Sequence, residues 1–305
     1  MKRIGSFFTL MILGSILAVI SLMLFKGECL AQAQAKSGEP LRVIMIGAHP
    51  DDCEIKGGGI GALWATAGAK VQFVAVANGD AGHQSQGGGA LARRRAAESR
   101  RSAEILGISW RTLDFHDGEI VPTLEMRSAV IRAIREWQAD IVITHRPNDY
   151  HPDHRYTSQI VQDAAYIVAV PNVLPDTPRL EKNPVFLYFY DSFRKPIPFT
   201  PDVAVVVDQV MEKKWRSIDC MESQMYEWGP WIDGVPAPPQ GKAERFEWLK
   251  GSWKGMLGWK SKCYDVLVER YGKALADKAQ YVETFELCEY GRQPSRAELW
   301  ELFPK

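Results

Sequence analysis

Two short motifs hold the side chains of this sequence that are best suited to catalysis. They are His49-Pro50-Asp51-Asp52 and His151-Pro152-Asp153-His154, and both combine imidazole with carboxylate groups. A catalytic zinc needs about three protein ligands of these types and one open position for water. His49, Asp52 and a histidine of the second motif could supply the ligands, and a carboxylate outside the ligand set could take a proton from the water. The motifs therefore predict a metal-dependent hydrolase.

The same residues also have a structural interpretation. An Asp-Asp pair after a strand is more often a helix cap than a ligand pair. His116 and His145 are more typical of hydrogen-bonded loop residues, and His83 of a solvated residue or a mobile lid. The clustering favours the metal, because all six histidines lie in or next to loops that follow predicted strands.

The elements that would position these loops alternate along the chain. Apolar runs predict strands at 41–46, 71–77, 111–115, 140–144, 185–190 and 203–207. Helical patterns occupy 58–67, 90–106, 124–137 and about 153–169. The predicted fold class is α/β: a Rossmann-like open parallel sheet with helices on both faces and a mainly helical C-terminal extension.

An open sheet of this kind explains why the polar loops matter. Ligands bind outside the carboxyl ends of its strands, and the two histidine motifs directly follow the strands predicted at 41–46 and 140–144. We therefore expect both motifs to lie at one edge of the sheet.

The N-terminus predicts export. Met1-Lys2-Arg3 precedes an apolar run at 7–25 and small residues at 31–35, which together are typical of a signal peptide within residues 1–35. The apolar run is also long enough to cross a bilayer, so an uncleaved anchor is the alternative. Either way we expect the rest of the chain outside the cytoplasm, periplasmic or secreted.

The predicted domain organisation after this segment is an α/β catalytic domain at 40–210 and a Trp-rich helical extension at 211–305 packed on it.

Charge and cysteine content narrow the partners. Lysine plus arginine and aspartate plus glutamate both number 37, so the net charge is zero and a nucleic-acid partner is not expected. Membrane contact is expected only through an uncleaved N-terminal segment. Disulfides are permitted outside the cytoplasm.

Several segments together resemble the PIG-L (LmbE-like) N-acetylglucosaminyl deacetylases. The resemblance extends from Leu41 to about Asp208. Its markers are Ala48-His49-Pro50-Asp51-Asp52, Asn78-Gly79-Asp80-Ala81-Gly82, Arg95-Ala96-Ala97-Glu98 with Leu106-Gly107, Asp117-Gly118, and His151-Pro152-Asp153-His154-Arg155.

Position by position, the resemblance implies roles for both motifs. The implied zinc ligands are His49, Asp52 and His154, and iron(II) suits the same ligand types. Asp51 resembles the general base that deprotonates the metal-activated water. His151 resembles the residue that steadies the oxyanion or protonates the leaving amine, with Asp153 orienting it.

The resemblance also implies contacts to the substrate. Arg95 and Asp117 resemble residues that bind the sugar, and Asp80 and Tyr150 are further candidates. Glu98 is equally a structural partner for Arg95. Where relatives carry a His-x-Ser-Gln segment in a late helix, this chain has Met221-Glu222-Ser223-Gln224.

The predicted function is removal of an N-acyl group from an N-acetylglucosamine-type sugar or glycoconjugate. One alternative is a carbohydrate-binding relative without catalysis, whose tryptophans between 228 and 259 would stack on sugar rings. The other is a dinucleotide-binding oxidoreductase, because 57–62 matches G-x-G-x-x-A. Against the second, charged residues separate these glycines from the preceding strand, where a dinucleotide site needs a tight turn.

Overall fold

A seven-stranded sheet organises the fold in the computed structural model, which describes residues 39–257 and 259–305. Its strands are β1 (Arg42–Gly47), β2 (Lys70–Ala77), β3 (Ser109–Phe115), β4 (Ile141–Thr144), β5 (Val185–Phe189), β6 (Val203–Val206) and β7 (Val282–Gly291). They lie in the order β3-β2-β1-β4-β5-β7-β6. The first five strands are parallel, and β7 runs antiparallel to both β5 and β6.

Helices cover both faces of the sheet. They are α1 (Asp52–Thr66), α2 (Gly88–Leu106), α3 (Leu124–Trp137), α4 (Pro152–Ile167), α5 (Met211–Asp219), α6 (Gly229–Ile232), α7 (Lys242–Leu257), α8 (Tyr264–Tyr271), α9 (Lys273–Lys278) and α10 (Arg296–Glu301). A π-helical turn, Ser223–Trp228, joins α5 to α6 by way of a short link. Leu41–Lys305 form one compact unit.

The predicted α/β fold class is confirmed, with two differences in its elements. Helix α1 begins at Asp52, six residues before the predicted start at Gly58, so the second aspartate of the first motif lies in a helical turn. The C-terminal region also contributes β7 to the sheet, whereas the sequence pattern indicated only helices there.

The two faces of the sheet bury separate apolar clusters. Along β1, Val43 and Met45 pack under α1 and α5, while Ile44 and Ile46 pack under α3 and α4. All four side chains have no exposed surface. This double burial explains the continuous apolar run in the sequence, as expected for a central parallel strand.

Glycines in α1 allow the helix to lie close to its neighbours. A Cβ at Gly57 would lie 2.6 Å from Met45 Sδ, and one at Gly59 would lie 2.8 Å from Glu283 Oε1. Residues 57–62 are all buried within the helix, away from its first turn. The G-x-G-x-x-A pattern therefore serves packing, and its glycines are not placed to cradle a pyrophosphate.

A buried ion pair between Lys214 of α5 and Glu283 of β7 contacts the backbone of α1. The Glu283 carboxylate of β7 accepts hydrogen bonds from the Gly59 and Ile60 backbone N–H groups at 2.8 and 2.7 Å. Lys214 Nζ of α5 lies 2.6 Å from Glu283 Oε1 and donates to the Ile55 carbonyl at 2.7 Å. Lys214 and Glu283 thus connect α1 to the C-terminal third of the chain.

The tryptophans of that third have different environments. Trp248 and Trp253 pack against the main core cluster. Trp231 is 57% exposed and stacks on Trp228 with ring centroids 5.3 Å apart. Core packing therefore explains Trp248 and Trp253, but it does not explain Trp231.

The export segment predicted at 1–35 lies outside the described residues. Within the residues that are described, no helix combines the length and apolar character needed to cross a membrane. In the same part of the chain, Cys53, Cys220, Cys263 and Cys288 are free thiols.

Candidate metal centre

The first motif forms a tight turn between β1 and α1. The Asp52 carboxylate, at the start of the helix, accepts a 2.8 Å hydrogen bond from the His49 backbone N–H. Asp51, at the corner, has φ 156°, a backbone conformation that side-chain-bearing residues rarely adopt. Such strain is often concentrated at functional sites. The turn directs adjacent aspartates to different surroundings.

The second motif forms the first turn of α4. His151 is the N-cap, and its Nδ1 accepts a 3.2 Å hydrogen bond from the Asp153 backbone N–H. Pro152 occupies the next position, where its missing N–H costs nothing. One helical turn after the cap, His154 is buried and turned to the β1 loop, because β1 and β4 are neighbours in the sheet.

The three predicted metal ligands form a triangle of donor atoms. His49 Nδ1 lies 3.2 Å from His154 Nε2 and 3.6 Å from Asp52 Oδ2. His154 Nε2 lies 3.3 Å from Asp52 Oδ1. Ligands about 2.1 Å from a tetrahedral zinc are about 3.4 Å apart, so the donor set fits the metal. All three side chains are buried.

Carboxylates orient both histidine ligands. His154 Nδ1 lies 3.1 Å from Asp149 Oδ1. His49 Nε2 lies 3.2 Å from both Asp117 Oδ1 and Asp153 Oδ2. Metal-binding histidines commonly donate their other ring N–H to such a carboxylate, which fixes the tautomer and increases basicity. This second set of acids is the strongest structural indication of a metal after the triangle itself.

The position of Asp153 differs from the sequence prediction. Its carboxylate contacts His49 and accepts the Gly118 backbone N–H at 2.7 Å. Its link to His151 is the backbone hydrogen bond at the helix cap. Asp153 therefore orients His49, a candidate metal ligand, with its side chain, and it fixes His151 only through its main chain.

The surrounding acids make the centre attractive to a cation. Burial by itself would lower the pKa of His49, but hydrogen bonds with Asp117 and Asp153 hold it well above the ordinary imidazole value. Burial would likewise raise the pKa of Asp117, but the hydrogen bond and charge of His49 lower it to about 2. Asp117 thus stays ionised, and a metal can replace the proton on His49.

Asp51 lies beside the donor triangle and is held by Arg95. Arg95 Nη2 donates to Asp51 Oδ2 at 3.2 Å and to the Pro50 carbonyl at 3.1 Å, while Nη1 reaches Asp117 Oδ2 at 3.4 Å. Burial raises the pKa of Asp51 to about 6, against the opposing charge of Arg95. Arg95 is itself buried, so the structure places this predicted sugar contact as a brace between two acids.

His151 presents a hydrogen-bond donor to the same space. Its ring lies edge-on to that of His49, with centroids 4.7 Å apart. Burial, with the charges of His49 and His154, lowers the pKa of His151. A neutral ring that accepts at Nδ1 carries its proton on Nε2, and that N–H remains available to an oxyanion.

His145 packs against two of the candidate ligands, His154 and Asp52. Its ring stacks on His154 at a centroid distance of 4.1 Å, and Nε2 accepts the Ala48 backbone N–H at 3.1 Å. Burial, with the neighbouring His154, lowers the pKa of His145 to about 4. His145 Nε2 is also 3.1 Å from Asp52 Oδ2, and His145 and His151 each complete a further cluster of possible ligands. These clusters overlap on the one centre.

The remaining predicted substrate contacts differ in accessibility. Tyr150 is 71% exposed, and its ring lies 5.6 Å from that of His154. Asp80 is occupied instead by the protein, since it accepts from the Asp117 backbone N–H at 3.0 Å and contacts His116 Nδ1 at 2.7 Å. Of this group, Tyr150 is best placed to touch a ligand.

The π-helical turn Ser223–Trp228, called the late segment below, also contacts the loops around the site. The sequence did not indicate these contacts. Gln224 Nε2 donates to the Gly82 carbonyl at 3.0 Å, and the Gly82 N–H donates to Asp117 Oδ2 at 3.1 Å. Glu98 bonds the Ser223 hydroxyl at 2.6 Å and lies 3.2 Å from Arg94. The alternative role of Glu98 as a partner for Arg95 is therefore replaced by its contacts with Arg94 and Ser223.

His83 belongs to this support as well. It is buried, and its Nε2 lies 2.8 Å from Glu227 Oε2 of the late segment. Its Nδ1 accepts the backbone N–H groups of Ser85 and Gln86 at 3.1 Å each. The interpretation of His83 as a solvated residue is therefore wrong. The signal that could have identified Asp149 was its position within the polar loop before the second motif, whereas Gln224 and Glu227 are far away in sequence.

Comparisons with known proteins agree with this geometry. Residues 44–165 match the family described as GlcNAc-PI de-N-acetylase, PIG-L. A diacetylchitobiose deacetylase of Thermococcus kodakarensis is 31% identical over 221 residues, which are 67% of this chain and 80% of the relative. A 4-oxalmesaconate hydratase of Pseudomonas putida is 25% identical over 193 residues, 61% of this chain and 74% of that one.

A solved structure shares the fold. The N,N'-diacetylchitobiose deacetylase from Pyrococcus horikoshii superposes with a TM-score of 0.59 at 23% identity, covering 81% of this chain and 83% of its own. The α/β architecture of both proteins is thus the same.

Proposed function

We propose that this chain, which belongs to the PIG-L family of de-N-acetylases and is a hydrolase of amides, removes the acetyl group from an N-acetylglucosamine-type sugar or glycoconjugate. The observation that carries the proposal is the buried triangle of His49, Asp52 and His154 with a separate carboxylate, Asp51, beside it. A metal ion that activates water and a separate carboxylate that accepts the proton can together hydrolyse an unactivated amide, and this arrangement separates the two roles.

The metal in this proposal is zinc, and iron(II) fits the same donors. When bound, it would polarise the amide carbonyl and lower the pKa of a water toward ~7. His49, Asp52 and His154 hold it, while Asp117, Asp149 and Asp153 keep the two imidazole rings in orientation.

Asp51 is the general base of the proposed reaction. Its side chain retains 15% exposure, and Arg95 fixes one carboxylate oxygen. A carboxylate whose pKa is raised to about 6 accepts a proton more readily than an ordinary aspartate does. The proton that Asp51 takes is then available to the leaving amine.

His151 stabilises the developing negative charge. Because Nδ1 accepts the helix-cap hydrogen bond, the neutral ring carries its proton on Nε2, and this N–H is the proposed donor to the oxyanion. This division of roles gives proton transfer to Asp51 and charge stabilisation to His151.

We place the enzyme outside the cytoplasm, either released after cleavage of residues 1–35 or anchored by the apolar run at 7–25. The support is the order of basic, apolar and small residues at the N-terminus.

The proposal is tested by incubating purified protein with N,N'-diacetylchitobiose and N-acetylglucosamine and measuring acetate and free amine. Equal amounts of both products support the deacetylase. Binding of the sugars without release of acetate would instead support the carbohydrate-binding alternative, and neither binding nor release would contradict the sugar substrate.

A further inference from the structure

A surface pocket lies next to the candidate metal centre and has no role in the proposed reaction. Its volume is about 360 Å³. It is lined by residues 147–149 after β4, by Phe193, Lys195 and Pro196 after β5, and by Arg155 of α4. This volume is at the lower end of the range for small-molecule sites. It can receive one small chemical group or sugar residue.

Two cations line the pocket without acidic partners. Arg155 uses Nη1 to hold the backbone carbonyls of Asp149 and Tyr150 at 2.8 and 3.0 Å, which keeps the guanidinium in place. Lys195 is exposed. Among the residues that the structure describes, no carboxylate forms an ion pair with either side chain. The adjacent Arg194 is exposed as well.

The acids near the pocket are already occupied. Asp149 Oδ1 is 3.1 Å from His154 Nδ1 and also accepts the His151 backbone N–H at 3.1 Å, so its charge serves the metal centre. Asp191 and Glu286, on the strand side, pair with Arg146 at 2.8 and 3.0 Å. The pocket therefore keeps an excess of positive charge.

One aromatic ring connects the pocket to the metal centre. The centroid of the Tyr150 ring lies 6.2 Å from that of Phe193 on the pocket wall. On its other side it lies 5.7 Å from the ring centroid of His151 and 5.6 Å from that of His154. A substrate bound at the metal centre would thus meet the pocket across Tyr150.

We infer that this pocket binds an anionic group, a carboxylate or a phosphate, carried by the substrate next to the sugar that is deacetylated. The inference rests on the proposed function and adds a substrate class to it: acidic glycoconjugates in preference to neutral chitin fragments. Arginine and lysine together form charge-assisted hydrogen bonds with both kinds of anion.

The test compares kcat/KM on three substrates of the metal-loaded enzyme. They are neutral N,N'-diacetylchitobiose, a disaccharide of N-acetylglucosamine and glucuronic acid for the carboxylate, and N-acetylglucosamine 1-phosphate for the phosphate. At low salt we expect at least one acidic substrate to be preferred by about fivefold or more, with the preference falling as salt rises. The preferred substrate identifies the anion.

Charge reversal assigns the preference to the pocket. Lys195→Glu should lower the ratio of kcat/KM for the acidic substrate to kcat/KM for the neutral one to about one. Lys182 is an exposed lysine at the opposite end of β5, and Lys182→Glu should leave this ratio unchanged. A ratio of one in the wild type, or equal effects of the two variants, overturns the inference while diacetylchitobiose turnover upholds the proposed function. Acetate release from none of the three substrates overturns both.

Discussion

At the residue scale, the centre depends on giving neighbouring side chains different surroundings. Asp52 is bonded to the His49 N–H and lies within the donor triangle. Asp51, one position earlier, has an unusual φ of 156° and is held by Arg95. The same residue type thereby becomes a proposed ligand at position 52 and a proposed base at position 51.

Replacing Asp51 tests this division. Asp51→Asn removes the proton acceptor with little change in shape, so we expect kcat to fall by about 10²- to 10⁴-fold. Metal content per chain should remain that of the wild type, because Asp51 is outside the triangle. Asp163→Asn, an exposed acid on α4, is the matched control. Full activity in a metal-loaded Asp51→Asn protein would remove Asp51 from the mechanism.

Arg95 distinguishes positioning from substrate binding. A residue that braces Asp51 and Asp117 should affect kcat, whereas a sugar contact should affect KM. Lysine cannot reproduce the forked donors, so Arg95→Lys should lower kcat by about 10- to 100-fold with KM nearly unchanged. Steady-state kinetics beside the exposed control Arg93→Lys measure this, and a rise confined to KM would favour the sugar contact.

At the element scale, two buried cations stabilise the helices that carry the site. Lys214 and Glu283 occupy hydrogen-bonding groups in the middle of α1. Arg135 of α3, with no exposed surface, donates to six backbone carbonyls at the end of α4 and in the segment that follows. Each cation links a site helix to a distant segment of the chain.

The Lys214–Glu283 pair should be strongly coupled. Removing one partner leaves a buried charge, so Lys214→Met should lower the free energy of unfolding by about 3–5 kcal/mol. The double variant Lys214→Met/Glu283→Gln should cost less than the sum of the single variants. Urea unfolding measures both, with the exposed Lys213→Met as control. Additive costs would show that the two side chains act independently.

Arg135 should be equally sensitive. Arg135→Met keeps part of the apolar stem but leaves several carbonyls without a donor, so a loss of at least about 3 kcal/mol is expected. The neighbouring exposed pair of Arg132 with Asp176, 2.9 Å apart, provides a comparison, since Arg132→Met should cost less than about 1 kcal/mol. Similar shifts in the urea midpoint for both variants would contradict this account.

At the scale of the whole molecule, local sequence patterns predicted the sheet edge on which the site lies. Strands β1 and β4 are buried on both faces, so their apolar runs were readable, and the loop after each strand leads to a histidine motif. Loops at the carboxyl ends of neighbouring parallel strands must meet, which brought the predicted ligands together without any knowledge of side-chain direction.

Contacts between segments that are far apart in the sequence could not be predicted from local patterns. Strand β7 pairs with β5 and β6 through contacts such as Leu187 with Leu287, and a local pattern does not specify so distant a partner. The hydrogen bond of Gln224 to Gly82 and the contact of Asp153 with His49 depend equally on how separate elements pack. Residue types therefore predicted which side chains gather at the site, and tertiary packing decided what each one does there.

In the proposed reaction, a metal at His49, Asp52 and His154 is required for amide hydrolysis. The most direct test of this claim is acetate release from N,N'-diacetylchitobiose by protein that is first stripped with a chelator and then reloaded with zinc or iron(II). We predict no release from the stripped protein and recovery as one metal per chain is restored, with neither binding nor recovery in His154→Ala. Undiminished acetate release from metal-free protein would contradict the claim.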